Sequence, residues 1–223
     1  MPLPSLLEPA TAETLARLHN EAAASDSALG DGDDAAERFN TLVALERVDY
    51  RSVWKQLSGH YLAVPPEFGR MLYLLARAAN AKRIVEFGAS MGISAIYLAS
   101  ALRDNGGGKL ITTEIEPSKA ERAQANIDAT GACAFVELRC GDALETLKDV
   151  VGPIDMILLD GSPSLYLPIL RLLGPSLRQG AMIIGENAWD EAYLSFVRDP
   201  QNGYLSQALP FAERGSELSV RTG

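Results

Sequence analysis

The sequence predicts an α/β fold: a Rossmann-like, mostly parallel sheet with helices on both faces, preceded by a helical extension. Three observations predict it. From Lys82 onward, short apolar and β-branched runs alternate with helical patterns, as strands joined by crossover helices do. The stretch Arg83-Ile-Val-Glu-Phe-Gly-Ala-Ser-Met-Gly-Ile-Ser94 reads as a buried strand ending in a carboxylate, then a glycine-punctuated turn, then a helix. That is how an open α/β sheet opens a ligand crevice at the carboxyl end of a strand. Near the end of the chain the pattern changes: Tyr204–Leu209 and Glu217–Arg221, separated by Glu213-Arg-Gly-Ser216, read as an antiparallel hairpin closing the sheet.

Taken in order, Thr11 to Ala24 reads as helix and Ser25 to Asp34 as a polar, Gly/Asp-rich break. Within it, Asp31-Gly-Asp-Asp34 lacks the spaced ligands and terminal Glu of a calcium loop, so a solvated loop and helix N-cap is expected. From Ala35 to Leu57, Phe39, Leu42, Val43, Leu45, Val48, Val53, Trp54 and Leu57 recur at helical spacing. Pro65-Pro66 starts a further helix over Glu67–Ala79. The predicted strands are then Arg83–Phe87, Lys109–Glu114, Ala134–Arg139, Ile154–Asp160 and Ala181–Glu186. Helices fall near Ile93–Leu102, Pro117–Thr130, Ala143–Asp149, Leu165–Leu173 and Asp190–Asp199, with Gly106-Gly-Gly108 and Gly174-Pro175 as turn punctuation.

Bulk properties bound the rest. A chain of 223 residues suits one well-buried domain plus an extension. A net charge of −9 argues against a nucleic-acid-coating surface, which needs a basic face. Cys133 and Cys140 are the only cysteines; seven apart on one predicted strand, they point to opposite faces and cannot pair. Neither a disulfide framework nor a zinc quartet can be built. The start lacks a basic segment followed by a long apolar core, so no signal peptide is expected, and no apolar run approaches the roughly 18 residues of a membrane span. The expectation is a soluble, cytoplasmic protein with no membrane contact.

Glu86, Glu114 and Asp160 close the first, second and fourth predicted strands, and Glu186-Asn187 the fifth, so all converge on one crevice. A carboxylate two places before the first glycine suits a cationic, amine-bearing ligand better than a pyrophosphate, which points to S-adenosylmethionine rather than a dinucleotide. In order and spacing, Glu86-Phe-Gly88-Ala-Ser-Met-Gly92-Ile-Ser94, Thr113-Glu114-Ile-Glu-Pro117, Gly141-Asp142-Ala143, Leu159-Asp160-Gly161 and Glu186-Asn187 make the chain, from about Tyr61 to its end, resemble a known family. This is the class I S-adenosylmethionine-dependent methyltransferases, most closely the catechol and caffeoyl-CoA O-methyltransferases.

The resemblance implies a seven-stranded sheet with the last strand inserted antiparallel, and a methyltransferase domain over 61–223. Residues 1–60 would then be a helical extension that covers the acceptor pocket and contributes to a homodimer. It implies that Gly88 and Gly92 let the backbone approach the cofactor, that Glu86 lies near its methionine amino end and that Ser94 faces its carboxylate. Glu114 would accept both ribose hydroxyls, for which a carboxylate has paired acceptor oxygens. Asp142 and Ala143 would border the adenine, while Ser90 and Asp160 complete the cofactor set. Val64 either packs near the methionyl group or is plain core. Asp160, Glu186 and Asn187 match the family's divalent-metal ligands, with Asp160 also the catalytic residue; three hard oxygen donors suit Mg²⁺, Mn²⁺ or Ca²⁺, and Mg²⁺ first. The reaction implied is transfer of a methyl group to a hydroxyl of a small, aromatic, catechol-like acceptor.

Two positions depart from the family. Glu186 stands where Asp is usual, and Pro163 where a lysine commonly serves as general base. Lys55 and His60 could cap the site instead, although a structural role is favoured for His60 and a surface helical one for His19. Tyr166 is expected to pack the crossover helix, and Trp189 either walls the acceptor pocket or packs a helix start. Gly88-Ala-Ser-Met-Gly92 matches the nucleophile elbow of α/β-hydrolases, but both histidines precede Ser90, so the Ser–acid–His order cannot be built. An NAD-dependent oxidoreductase is disfavoured because its G-x-G-x-x-G fingerprint is absent: the glycines are Gly88 and Gly92, with none at Ser90. A non-catalytic cofactor-binding relative is the remaining alternative.

Overall fold

The computed structural model describes residues 3–30, 35–210 and 215–223. The expected Asp31-Gly-Asp-Asp34 loop and Glu213-Arg214 of the terminal turn lie outside the described residues, as does the side chain of Phe39.

Seven strands form one sheet in the order β3-β2-β1-β4-β5-β7-β6. They are β1 (Arg83–Phe87), β2 (Lys109–Glu114), β3 (Val136–Cys140), β4 (Ile154–Leu159), β5 (Leu177–Gly185), β6 (Tyr204–Leu209) and β7 (Ser216–Arg221). The first five pair in parallel, and β7 inserts antiparallel between β5 and β6. The helices are α1 (Pro9–Gly30), α2 (Ala35–Gln56), α3 (Pro66–Ala78), α4 (Ile93–Asp104), α5 (Pro117–Ala129), α6 (Ala143–Thr146), α7 (Tyr166–Leu173) and α8 (Glu191–Arg198).

Strand alternation divides the core in two. Ile84, Leu110, Met156 and Leu158 face a layer built from α1, α3, α4 and α5, while Val85, Phe87, Ile157 and Leu159 face α6, α7 and α8. Leu15, Leu18 and Ala22 of α1 belong to the first of these cores. Salt bridges and hydrogen bonds fasten the same segment: Arg103 pairs with Glu8 at 2.8 Å, and Ser5 bonds to Asp104. Chain order reverses between β1 and β4, the point at which open α/β sheets leave a crevice.

Several elements differ from expectation for local reasons. The third strand starts two residues late because Cys133–Phe135 first makes a tight 3-10 turn. Both cysteines are free and exposed, one in that turn and one at the strand end. The helix after β3 spans only Ala143–Thr146. His19 is half-buried rather than superficial, hydrogen-bonded to the Tyr97 hydroxyl at 3.2 Å, and burial lowers its pKa. Helix α2 carries a break at Asp49 (φ −148°, ψ 74°), whose carboxylate accepts from the Ser52 amide and hydroxyl and so caps a new helical segment.

Candidate active site

A cavity of about 480 Å³ opens over the carboxyl ends of the strands at the reversal point, within the range of small-molecule sites. Its floor is the turn after β1. Gly88 (φ +100°) tolerates no side chain, because a Cβ there would meet the Asp160 carbonyl at 2.5 Å. Ser90 sits in left-handed backbone (φ 45°) and turns its amide to Glu114. Val64, Gly88, Ser90, Ser94, Glu114, Asp142, Ala143, Asp160, Glu186 and Asn187 all line this one cavity.

Glu86 and Gly92 do not line it. Glu86 has the same strand parity as Ile84 and so points beneath α4, fully buried, where Thr112 and Ser94 hydrogen-bond its carboxyl group. Burial pushes its pKa up to about 7, the two hydroxyls offsetting part of that and Glu114 adding to it. Gly92 (φ +87°) is the N-cap of α4, and a Cβ there would lie 3.2 Å from the Ala123 backbone. Its glycine therefore serves the α4–α5 approach rather than a ligand's.

Glu114 is held by two backbone amides: Oε2 accepts from Ser90 at 2.8 Å and Oε1 from Glu116 at 2.9 Å. Burial raises its pKa, and these amides with Lys119 oppose the rise. Lys119, a buried residue that the sequence reading missed, reaches the Ser90 hydroxyl at 3.3 Å; burial lowers its pKa while Glu114 resists. Asp142 caps α6 through the Leu144 amide and also binds Tyr50 (2.7 Å) and Arg51, both from α2. Burial raises its pKa, but these bonds outweigh it and the net direction is down.

At the other end, burial and the nearby charges of Glu186 and Glu86 push the Asp160 carboxyl well up, and Asp160 and Glu186 hydrogen-bond to each other. Asn187 follows in left-handed backbone (φ 48°). Among the described residues no three His, Cys, Asp or Glu side chains cluster as a metal site. A divalent ion here would have two carboxyl groups to draw on, with the Asn187 amide next in the chain as a further oxygen donor. The donors fit a hard cation in kind, because two buried carboxyl groups side by side hold a proton that such a cation can replace. Tyr166, fully buried, donates to the Glu186 carbonyl at 2.5 Å and fixes that strand end.

Helix α2 covers the cavity with Leu42, Val43, Glu46, Tyr50, Val53, Trp54 and Leu57. Trp189 lines the cavity beside them, with the Arg47 guanidinium 5.6 Å above its ring. His60 also borders the cavity, but its ring is tied to the Ser25 carbonyl at 3.1 Å, whereas Lys55 is exposed and lines nothing there. Tyr50, Arg51 and Glu46 escaped the sequence reading. Their signal was available: a carboxylate and a phenol on the apolar stripe of an amphipathic helix.

The comparisons agree with this architecture. A methyltransferase-domain family model matches residues 85–188. A catechol O-methyltransferase of Niastella koreensis is 38% identical over 130 residues, covering 56% of this chain and 58% of the relative. The match thus spans less than two thirds of that relative's length. A protein of Mycobacterium sp. strain JLS, named as an O-methyltransferase, is 32% identical over 152 residues, covering 61% of this chain and 67% of the relative. The O-methyltransferase TomG of Streptomyces achromogenes, solved with S-adenosylmethionine, superposes with a TM-score of 0.65 at 23% identity, covering 94% of this chain and 99% of that one. At that identity the likeness speaks for the fold. With sheet order, crevice and relatives in agreement, the chain belongs to the class I S-adenosylmethionine-dependent O-methyltransferase family.

Proposed function

We propose that the protein transfers the methyl group of S-adenosylmethionine to a hydroxyl of a small, aromatic, catechol-like acceptor. One observation carries the reading: Glu114 faces the cavity with each carboxylate oxygen pinned by a single backbone amide. Each oxygen keeps lone-pair capacity, so the pair is preorganised for two adjacent hydroxyls, as on a ribose. The acidic side chains at these strand ends, Asp160 and Glu186 beside Glu114, suit an ammonium and a sulfonium better than a pyrophosphate. The names of the relatives point the same way.

In this mechanism Glu114 holds the ribose, the turn Gly88 to Ser90 and Ser94 line the methionyl end, and Val64 packs against it. Asp142 and Ala143 border the adenine, with Tyr50 and Arg51 closing that side. Helix α2 and Trp189 exclude water from the acceptor end. The methyl group is already activated by the positive sulfur, so holding the acceptor oxygen in line with it does much of the work. Asp160, Glu186 and Asn187 would hold a divalent cation, Mg²⁺ first, which when bound polarises the acceptor hydroxyl and lowers its pKa.

Residues 61–223 are read as the methyltransferase domain and 1–60 as its helical cover. The exposed Leu45 and Val48 on the outer side of α2 support a homodimer through that cover. Two free, exposed cysteines suit a reducing, cytoplasmic setting. Calorimetry with S-adenosylhomocysteine, followed by a methyl-transfer assay on catechols with and without Mg²⁺, tests the reading. Absence of S-adenosylhomocysteine binding would overturn it.

A further inference from the structure

The acceptor end of the cavity holds one group that the proposed mechanism leaves unused. Glu46, on α2, is 4% exposed and lines the cavity. Its Oε1 accepts hydrogen bonds from the hydroxyls of Ser162 and Ser164, and the Ser164 amide lies 3.3 Å away. Those donors lie two and four residues after Asp160 in the chain, on either side of Pro163. Its Oε2 is buried and has no hydrogen-bond partner among the described residues.

Such an arrangement is costly unless something meets it. A carboxylate oxygen withdrawn from water without a partner is destabilising, and the helical stripe that carries Glu46 is otherwise mainly apolar: Leu42, Val43, Val53, Trp54, Leu57. A leucine there would cover the cavity as well. The two serines fix the carboxylate by one oxygen and leave the other, buried at the cavity wall, without a partner among the described residues. The adjacent cation, Arg47, is engaged instead by Trp189 and Asp190.

We infer that Glu46 is the proton acceptor for the methylated hydroxyl, taking the proton through Oε2. This rests on the O-methyltransferase reading above. In the step, the acceptor O–H bond breaks and its proton passes to Oε2, while the oxygen forms a bond to the methyl carbon. The sulfur–methyl bond breaks with its electron pair returning to sulfur. The products are a methyl ether, S-adenosylhomocysteine and a neutral Glu46, which gives its proton to water once the site opens.

The test compares Glu46→Gln with the wild type, using catechol and the more acidic 4-nitrocatechol as acceptors at pH 8 with Mg²⁺ present. Glutamine keeps an oxygen for Ser162 and Ser164 and the same bulk, so a thermal melt and S-adenosylhomocysteine affinity should stay within about threefold of wild type. With catechol, kcat should fall about 100-fold, the scale of a lost general base. With 4-nitrocatechol, whose hydroxyl is already largely ionised, it should fall less than about fivefold. Equal losses for both acceptors, or no loss for either, overturn the inference. So does a wild-type protein that binds S-adenosylhomocysteine yet methylates neither phenol. Absence of S-adenosylhomocysteine binding defeats the proposed function itself.

Discussion

Replacing Glu114 by alanine isolates the group that the cofactor reading depends on most. Its two oxygens are each fixed by one backbone amide, from Ser90 at 2.8 Å and Glu116 at 2.9 Å. Two ribose hydroxyls would therefore meet a carboxylate that needs no rearrangement. Hydrogen bonds to a charged acceptor contribute about 1.5–3 kcal/mol each. The carboxylate must also shed water when the ligand arrives, so the lower end is the sounder choice for the pair: about 3 kcal/mol, or roughly 150-fold in Kd. The alanine variant also leaves two amides without their acceptor, which should lower stability by about 1–3 kcal/mol. Calorimetry with S-adenosylhomocysteine, run well below the melting temperature of each protein, reads the first effect and a denaturant titration the second. A Kd within threefold of wild type in a folded variant would remove Glu114 from the ligand site.

Two further outcomes follow from the other carboxylates. Asp160→Ala should abolish stimulation by Mg²⁺ while leaving S-adenosylhomocysteine affinity largely intact; wild-type activity that is indifferent to a chelator refutes the metal assignment. Glu86, raised to about 7 by burial, holds its proton in the folded chain over a range where the unfolded chain has lost it. The folded state then binds more protons, so stability falls as pH rises from the ordinary carboxyl range to about 7, by about 3 kcal/mol. Glu86→Gln should remove most of that slope. Denaturant titrations at pH 5 and pH 8 that change equally in both proteins would show that Glu86 does not titrate this way.

The strands and the crevice were legible in the sequence because their cues are local. β1 and β2 end where a buried run meets a carboxylate and a turn, and both were bounded correctly. The direction of a strand-end side chain was less legible. Glu86 shares a parity with Ile84, and that alternation already set it beneath α4 instead of toward the ligand. Gly92 resembled a ligand-approach glycine because the motif cannot distinguish a nearby cofactor from a nearby helix; Ala123, thirty-one residues away in the chain, decides it. Lys119, Tyr50 and Glu46 depend on how α5 and α2 settle on the sheet, and no spacing within one segment encodes that. Even so, a glutamate among Leu42, Val43 and Val53 was a visible break in an apolar face.

The kink at Asp49 divides the roof of the cavity into two short rods with separate moorings. Glu46, before the bend, is tied to the bank that follows β4, whereas Tyr50 and Arg51, after it, are tied to the bank that follows β3. A straight rod would have to satisfy both banks with a single tilt. A jointed one lets each half take the angle its own mooring demands, so refitting the nucleoside end need not disturb the end that meets the acceptor.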